Sequence, residues 1–304
     1  GRMTGTLLIS AGLAALVIAL LASFALSVSR LRLELPADSP GEWLAAKGKP
    51  AGSPPRERPV IVCAGDSITH GAVSADWVAM LRERVPDADI LNAGVNSELA
   101  WNLYQRLDGI VALDPDFVSI LIGSNDANAT LGFRAELEYL TLQKLPERPS
   151  PQFYREMLTL IVRRLKADTK ARIALCSVPP IGEDPNHRAW LRTEEYASIV
   201  KETARAEGVE YLPFREKLCA YLAQAPRGRS IPFEDFARAG KRALWSLRML
   251  GKSLDEIAAA NGFHLLVDGI HLNSHAAVML AELVERFIRD GRRAARAGEP
   301  EARA

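Results

Sequence analysis

The chain has 304 residues, 48% of them hydrophobic and 25% charged, a balance that excludes a disordered or fibrous chain and leaves room for one or two domains with a real core. Its 38 basic residues against 37 acidic ones give a net charge of +1, so no global attraction to nucleic acid is written into the composition. Three cysteines, Cys63, Cys176 and Cys219, are odd in number and too few for a disulfide framework; each lies in an apolar run and reads as a buried core thiol.

From Thr4 to Ser29 there is no charged residue, and Leu7 to Val28 is a near-continuous apolar run of about the length that crosses a bilayer as a helix. Residues 1–30 therefore read as a membrane anchor or signal segment. Ser23-Phe24-Ala25 resembles a cleavage site, but a secretory apolar core spans only ~7–15 residues, which favours an uncleaved transmembrane helix. Arg2 precedes the run while Arg30 and Arg32 follow it, so flanking charge leaves the orientation open. An N-terminal anchor ahead of the main domain points to an extracytoplasmic domain. Pro36 to Pro59 holds six prolines with glycines and no hydrophobic period, so residues 31–58 read as a semi-extended Pro/Gly-rich linker. The main domain is expected over residues 59–290, and residues 291–304, rich in Ala, Arg and Glu, as a disordered tail after a helix stop at Gly291.

Within the domain, apolar runs at Val60-Cys63, Ile90-Leu91, Phe117-Ile122, Ile173-Val178 and Val209-Leu212 predict strands, with the third and fourth apolar enough to be covered on both faces. Amphipathic segments separate them. Trp77, Val78, Leu81 and Val85 share one helical face. Ser150 and Pro151 open a helix carrying Phe153, Met157, Leu160, Ile161 and Leu165. A further helix runs from about Thr193 to Gly208, and the last starts at Ser274 with Leu280, Val284 and Phe287 on one side. The alternation implies an α/β fold with a parallel sheet of about five strands, helices on both faces, and ligands beyond the carboxyl ends of the strands.

Those strand ends carry the chemistry. The first reads Gly65-Asp66-Ser67, where a sharp turn sets Ser67 at a helix start with backbone N–H groups available to an oxyanion. Taken alone, Asp66 and Ser67 are ordinary capping residues. The second strand ends in Asn92-Ala93-Gly94-Val95-Asn96-Ser97 and the third in Gly123-Ser124-Asn125-Asp126, each an unremarkable polar turn by itself. Far along the chain, Asp268-Gly269-Ile270-His271 places a carboxylate and an imidazole where they meet across one turn. A serine hydroxyl becomes a good nucleophile when such a base takes its proton and a third group fixes the base.

Taken together and in this order, the four blocks resemble the SGNH hydrolases, also called the GDSL esterase/lipase family, over Val60 to about Arg289. The resemblance implies a three-layer α/β/α, flavodoxin-like fold and a catalytic triad of Ser67, Asp268 and His271. It also implies an oxyanion hole made by the backbone N–H groups of Ser67 and Gly94 and the side-chain amide of Asn125. The implied activity is hydrolysis of carboxylic esters through an acyl-serine intermediate, with neither metal nor organic cofactor. Small-molecule, lipid and carbohydrate esters and thioesters all suit such a family, so carbohydrate O-acetylesterase and lysophospholipase or thioesterase stand as alternatives.

Other residues read as structural. His70, close behind Ser67, is expected to be structural or pocket-lining, and His187, His264 and His275 lack a paired carboxylate at useful spacing. Asp66 and Asp126 read as loop-bracing acceptors, and the acceptor sequence Asn128-Ala129-Thr130 as a chance match. Between Arg227 and Lys252 there are seven basic and two acidic residues, with Phe233, Phe236, Ala237, Leu244 and Leu247 on one helical face and Arg238, Lys241, Arg242 and Arg248 on the other, Trp245 among them. That segment reads as a packed helix with a solvated basic face, or as a lid meeting anionic lipid. A binuclear metallophosphoesterase is disfavoured because the sequence has no Asp-x-His or His-x-His pair. A tethered, non-catalytic binding module on the same fold is the remaining rival.

Overall fold

Each of the five apolar runs forms a strand: β1 (Val60–Gly65), β2 (Asp89–Gly94), β3 (Phe117–Leu121), β4 (Arg172–Cys176) and β5 (Glu210–Leu212). The computed structural model describes residues 18, 19, 22, 23, 26, 34–52, 56–226 and 230–298. All neighbours pair in parallel, in the order β2-β1-β3-β4-β5.

Side chains alternate across this sheet and divide the core in two. Ile61, Cys63, Phe117, Leu121, Ala174 and Cys176 face helices Trp77–Arg84, Phe214–Leu222 and Ser274–Gly298. Val60, Val62, Ala64, Val118, Ile120 and Leu175 face helices Ala100–Gln105, Pro151–Asp168 and Arg188–Glu207. Both faces are therefore dry, which is why the strands are apolar runs rather than alternating ones. The result is the three-layer α/β/α arrangement. Strand order reverses between β1 and β3, so a crevice opens at their carboxyl ends. Ser150 Oγ accepts from Phe153 N–H at 3.0 Å to start its helix, as its position predicts.

Three expectations are corrected. Part of the stretch expected to be an open linker is packed: Ser39 and Pro40 start a helix over Pro40–Lys47, and Trp43 and Leu44 rest on the second core. Arg56, its side chain only 8% exposed, donates to Asp116 Oδ2 at 2.9 Å and pins the segment to the strand bases. A Pro- and Gly-rich composition conceals this because a short helix of about two turns and one arginine carry the contact. The last helix does not stop at Gly291 but continues to Gly298. Gly291 is there for close packing, since a Cβ at that position would lie 2.4 Å from Phe117 Cε1. Cys63 and Cys176 are buried thiols as expected, whereas Cys219 is only half-buried.

Among the described residues no helix is long and apolar enough to cross a membrane. The run expected to do so, Leu7 to Val28, falls almost wholly outside the described residues.

Gly291→Ala should lower the urea midpoint, by about 1–3 kcal/mol of stability, because the extra methyl must displace a ring wedged against Phe287. An unchanged midpoint would mean that nothing is packed at the tail.

Candidate active site

At the end of β1, Asp66 Oδ1 accepts from Ile68 N–H at 2.9 Å and caps a single turn, Ser67–His70. Ser67 opens that turn, and its backbone N–H has no acceptor among the described residues. Its hydroxyl lies 3.0 Å from His271 Nε2. His271 Nδ1 lies 2.8 Å from Asp268 Oδ2, while Asp268 Oδ1 accepts from the backbone N–H groups of Ile270 and His271, both at 3.0 Å. The structure thus joins Ser67, His271 and Asp268 in one line.

The Asp268 loop is shaped from several sides. Gly269 sits at φ 100, in the left-handed region, and a Cβ there would lie 2.3 Å from Phe236 Cε2. Its carbonyl accepts from Gly182 N–H at 2.7 Å. Glu183 accepts from the backbone N–H groups of His264, Leu265 and Leu266 at 2.7–3.0 Å. The expected helical segment is present as Phe236–Met249, and Gly240 brings its backbone against Asp268: a Cβ would stand 3.3 Å from Oδ2. Its buried face is Phe236, Ala239 and Ala243; Ala237, expected on that face, is exposed, and small residues face inward because the backbone approaches so closely. Lys241, Arg242 and Arg248 are exposed, and Arg238 pairs with Asp235 at 2.8 Å.

Electrostatics separates the three buried acids. Burial pushes Asp268 up, but the His271 charge and three donated hydrogen bonds outweigh it and leave the carboxyl below its ordinary value. Burial pushes His271 down, yet the Asp268 charge and hydrogen bond, with Asp66 adding, leave it above its ordinary value. Asp66 has no such partner; burial drives it up to about 7, and its Oδ2 has no hydrogen bond. Asp126 rises to about 8 for the same reason, although both oxygens lie 3.2 Å from Ala100 N–H.

The third and second blocks meet beside this line. Asn125 Nδ2 donates to Glu98 O at 2.9 Å, and Tyr139 donates its hydroxyl to Asn125 Oδ1 at 2.8 Å, which fixes which way the amide faces. The second amide hydrogen has no acceptor among the described residues. Gly94 departs from expectation: its N–H donates to Asn92 Oδ1 at 2.9 Å, so that donor is engaged. Gly94 has another reason to be glycine, since a Cβ would lie 2.2 Å from the backbone nitrogen of His70. Three residues on, Ser97 holds φ 65 and its N–H has no acceptor among the described residues.

Sequence reasoning missed the groups that stitch the strand ends. Arg106 donates through Nη2 to Gly65 O at 3.1 Å and Ala93 O at 2.8 Å, and through Nε to Glu98 Oε2 at 2.6 Å. Only Asn92 stood inside a recognised block; Arg106, Glu98, Tyr139 and Glu183 carry no local signal. His70 Nε2 donates to Glu34 O at 2.9 Å, His187 caps its helix, His264 Nε2 donates to Pro226 O and His275 meets Tyr221 edge to face, all structural contacts. Asn128 is tied to the Tyr139 hydroxyl at 3.3 Å. Among the described residues no three His, Cys, Asp or Glu side chains are grouped to hold a metal ion.

A hydroxyl whose proton has a base to go to, at the edge where parallel sheets bind ligands, is what serine hydrolases have in common. The chain belongs to one family among them: the GDSL-like lipase/acylhydrolase family matches residues 63–276. It is an ester-cleaving SGNH hydrolase. Among solved structures, an acetyl xylan esterase is 16% identical with a TM-score of 0.53, covering 75% of this chain and 99% of that one. A lipase/acylhydrolase from Enterococcus faecalis is 20% identical with a TM-score of 0.51, over 76% and 96%. The acetylxylan esterase of Geobacillus stearothermophilus is 18% identical with a TM-score of 0.53, over 83% and 98%. At such identities the likeness is one of fold. No curated protein matches the sequence.

Because the folded pKa of Asp66, about 7, lies above its ordinary 3.8, the stability linked to its proton is full below that ordinary value and is lost as pH rises through about 7. Asp66→Asn, neutral throughout, should therefore gain melting temperature over the parent at about pH 9 and much less at about pH 5. Equal differences at both would mean that Asp66 ionises freely in the fold.

Proposed function

We propose that Ser67 is the nucleophile, His271 the general base and Asp268 the group that fixes the imidazole, in the hydrolysis of carboxylic esters through an acyl-serine intermediate. The observation that carries this is the unbroken line from the Ser67 hydroxyl through His271 to Asp268, with contacts of 3.0 and 2.8 Å. His271 Nε2 takes the hydroxyl proton as Ser67 Oγ attacks the carbonyl carbon. The resulting imidazolium is stabilised by Asp268, whose depressed pKa keeps it ionised. The charged oxygen of the tetrahedral adduct is met by the Ser67 N–H and the free hydrogen of the Asn125 amide. With Gly94 engaged by Asn92, we assign the third donor to Ser97, whose N–H has no acceptor among the described residues and sits in the same loop. His271 then protonates the departing alcohol, and a water molecule repeats the sequence on the acyl-enzyme.

Solved structures of catalytic mutants of the Geobacillus esterase change a serine, an aspartate and a histidine, the aspartate three residues before the histidine. Asp268 and His271 have that spacing, which supports the assignment. Several neighbours are acetylxylan esterases, and this favours a carbohydrate O-acetyl ester as the second reading of the substrate. The apolar Leu7–Val28 run supports a single membrane anchor, with the catalytic domain at residues 59–290 on the extracytoplasmic side.

Ser67→Ala should abolish turnover of p-nitrophenyl acetate while leaving the fold intact; turnover near that of the parent would overturn the assignment. Asn125→Ala should lower kcat roughly a hundred- to a thousandfold with little change in KM, because its amide meets charge that exists only in the transition state. Since Asn125 also bonds Glu98 and Tyr139, the comparison belongs well below the melting temperature. A variant with full kcat would remove Asn125 from the oxyanion hole.

A further inference from the structure

Several elements ring the Ser67 line at the carboxyl edge of the sheet, and two of them turn apolar side chains outward. Helix Phe133–Leu142 has no buried residue: Phe133 is 72% exposed and Leu137, one turn on, is 53% exposed. Its other side is anchored, with Tyr139 and Leu140 against Leu99, Ala129 and Leu145, and the Tyr139 hydroxyl on Asn125. A helix held on one side by the proposed oxyanion donor and bare on the other has no partner for that face among the described residues. Leu35, half exposed, is the second outward apolar group, beside Glu34, whose carbonyl meets His70 Nε2 at 2.9 Å. His70 closes the turn that Ser67 opens.

The length of chain before Glu34 says what covers this face. Only residues 29–33 separate Glu34 from the end of the Leu7–Val28 run, and six peptide steps reach at most about 22 Å. A folded domain of this size is about 45 Å across. The domain therefore cannot turn its far side to whatever holds the apolar run. The face that does turn toward it carries Leu35, and the basic helix Phe236–Met249 lies against Asp268 at the same edge with Lys241 and Arg242 exposed. Outward apolar groups flanked by cations suit a phospholipid surface with anionic headgroups.

We propose that the carboxyl-edge face bearing Leu35, Phe133 and Leu137 rests on the lipid bilayer that holds the Leu7–Val28 run, so that the Ser67 site takes esters presented at the membrane surface. The proposal rests on reading that run as a membrane anchor.

The test uses the full chain in phosphatidylcholine–phosphatidylglycerol vesicles, in a Cys219→Ser background, with a fluorophore attached at Phe133→Cys or, as control, at Lys170→Cys on the opposite edge of the sheet. Headgroup-nitroxide lipid should quench the label at position 133 strongly and the control weakly. In parallel, Phe133→Ser with Leu137→Ser should raise the apparent KM for a vesicle-borne ester by about tenfold or more and leave dissolved p-nitrophenyl acetate turnover unchanged. Equal quenching at the two positions, or an unchanged KM, in protein that stays in carbonate-washed vesicles would overturn the docking face while the anchor stands. Release of the parent chain by the wash would overturn the anchor reading and the proposal with it.

Discussion

The contact between Ser67 and His271 joins loops 204 residues apart in sequence, and the rest of the site exists to keep that 3.0 Å distance. Neither loop is rigid by itself. Asp66 locks the first by capping a single turn, and Arg106 ties the carbonyls of Gly65 and Ala93 so that the ends of β1 and β2 cannot splay. The second is held by Glu183, which gathers three consecutive backbone N–H groups, and by Phe236, which fills the space a side chain at Gly269 would need. Positioning of this kind supplies much of an enzyme's rate, because the encounter of nucleophile, base and carbonyl is prepaid in folding.

The same burial acts on three aspartates with different results, decided by how many donors each meets. Asp268 accepts from two backbone N–H groups and faces an imidazole, and remains an anion. Asp66 meets one N–H and leaves an oxygen bare, and Asp126 shares the single N–H of Ala100; both are pushed toward the neutral form. Asp66, pushed toward the neutral form beside the triad, leaves Asp268 as the principal anion acting on His271. That division suits a base which must take the Ser67 proton and then give it to the departing alcohol.

The strands were legible because a sheet covered on both faces writes itself as unbroken apolar runs, and Val60–Gly65 or Phe117–Leu121 has no other economical reading. Asp268 and His271 were legible because their contact is local, three residues apart. What tertiary contact decides was not legible. Gly94 was expected as a donor from the family resemblance alone, yet its N–H is held by Asn92 and the approach of the His70 backbone accounts for the glycine. Gly291 looked like a helix stop, and the ring of Phe117 accounts for it. Arg106, at the turn between helices Ala100–Gln105 and Leu107–Val111, and Tyr139, within a helix, lie in sequence that says nothing of the carbonyls and amide they reach. The packed helix at Pro40–Lys47 was hidden by the prolines around it, although Ser39 followed by Pro40 is a helix start by the same rule that identified Ser150 and Pro151.

The central claim is that the acyl group passes through the Ser67 oxygen, and the direct measurement is the mass of the enzyme during turnover. Protein mixed with p-nitrophenyl acetate, quenched in acid within the first turnovers and digested, should carry one acetyl group on the peptide containing Ser67. Turnover with an adduct on another residue, or with the Ser67 peptide unmodified while product accumulates faster than the quench can miss, would contradict it.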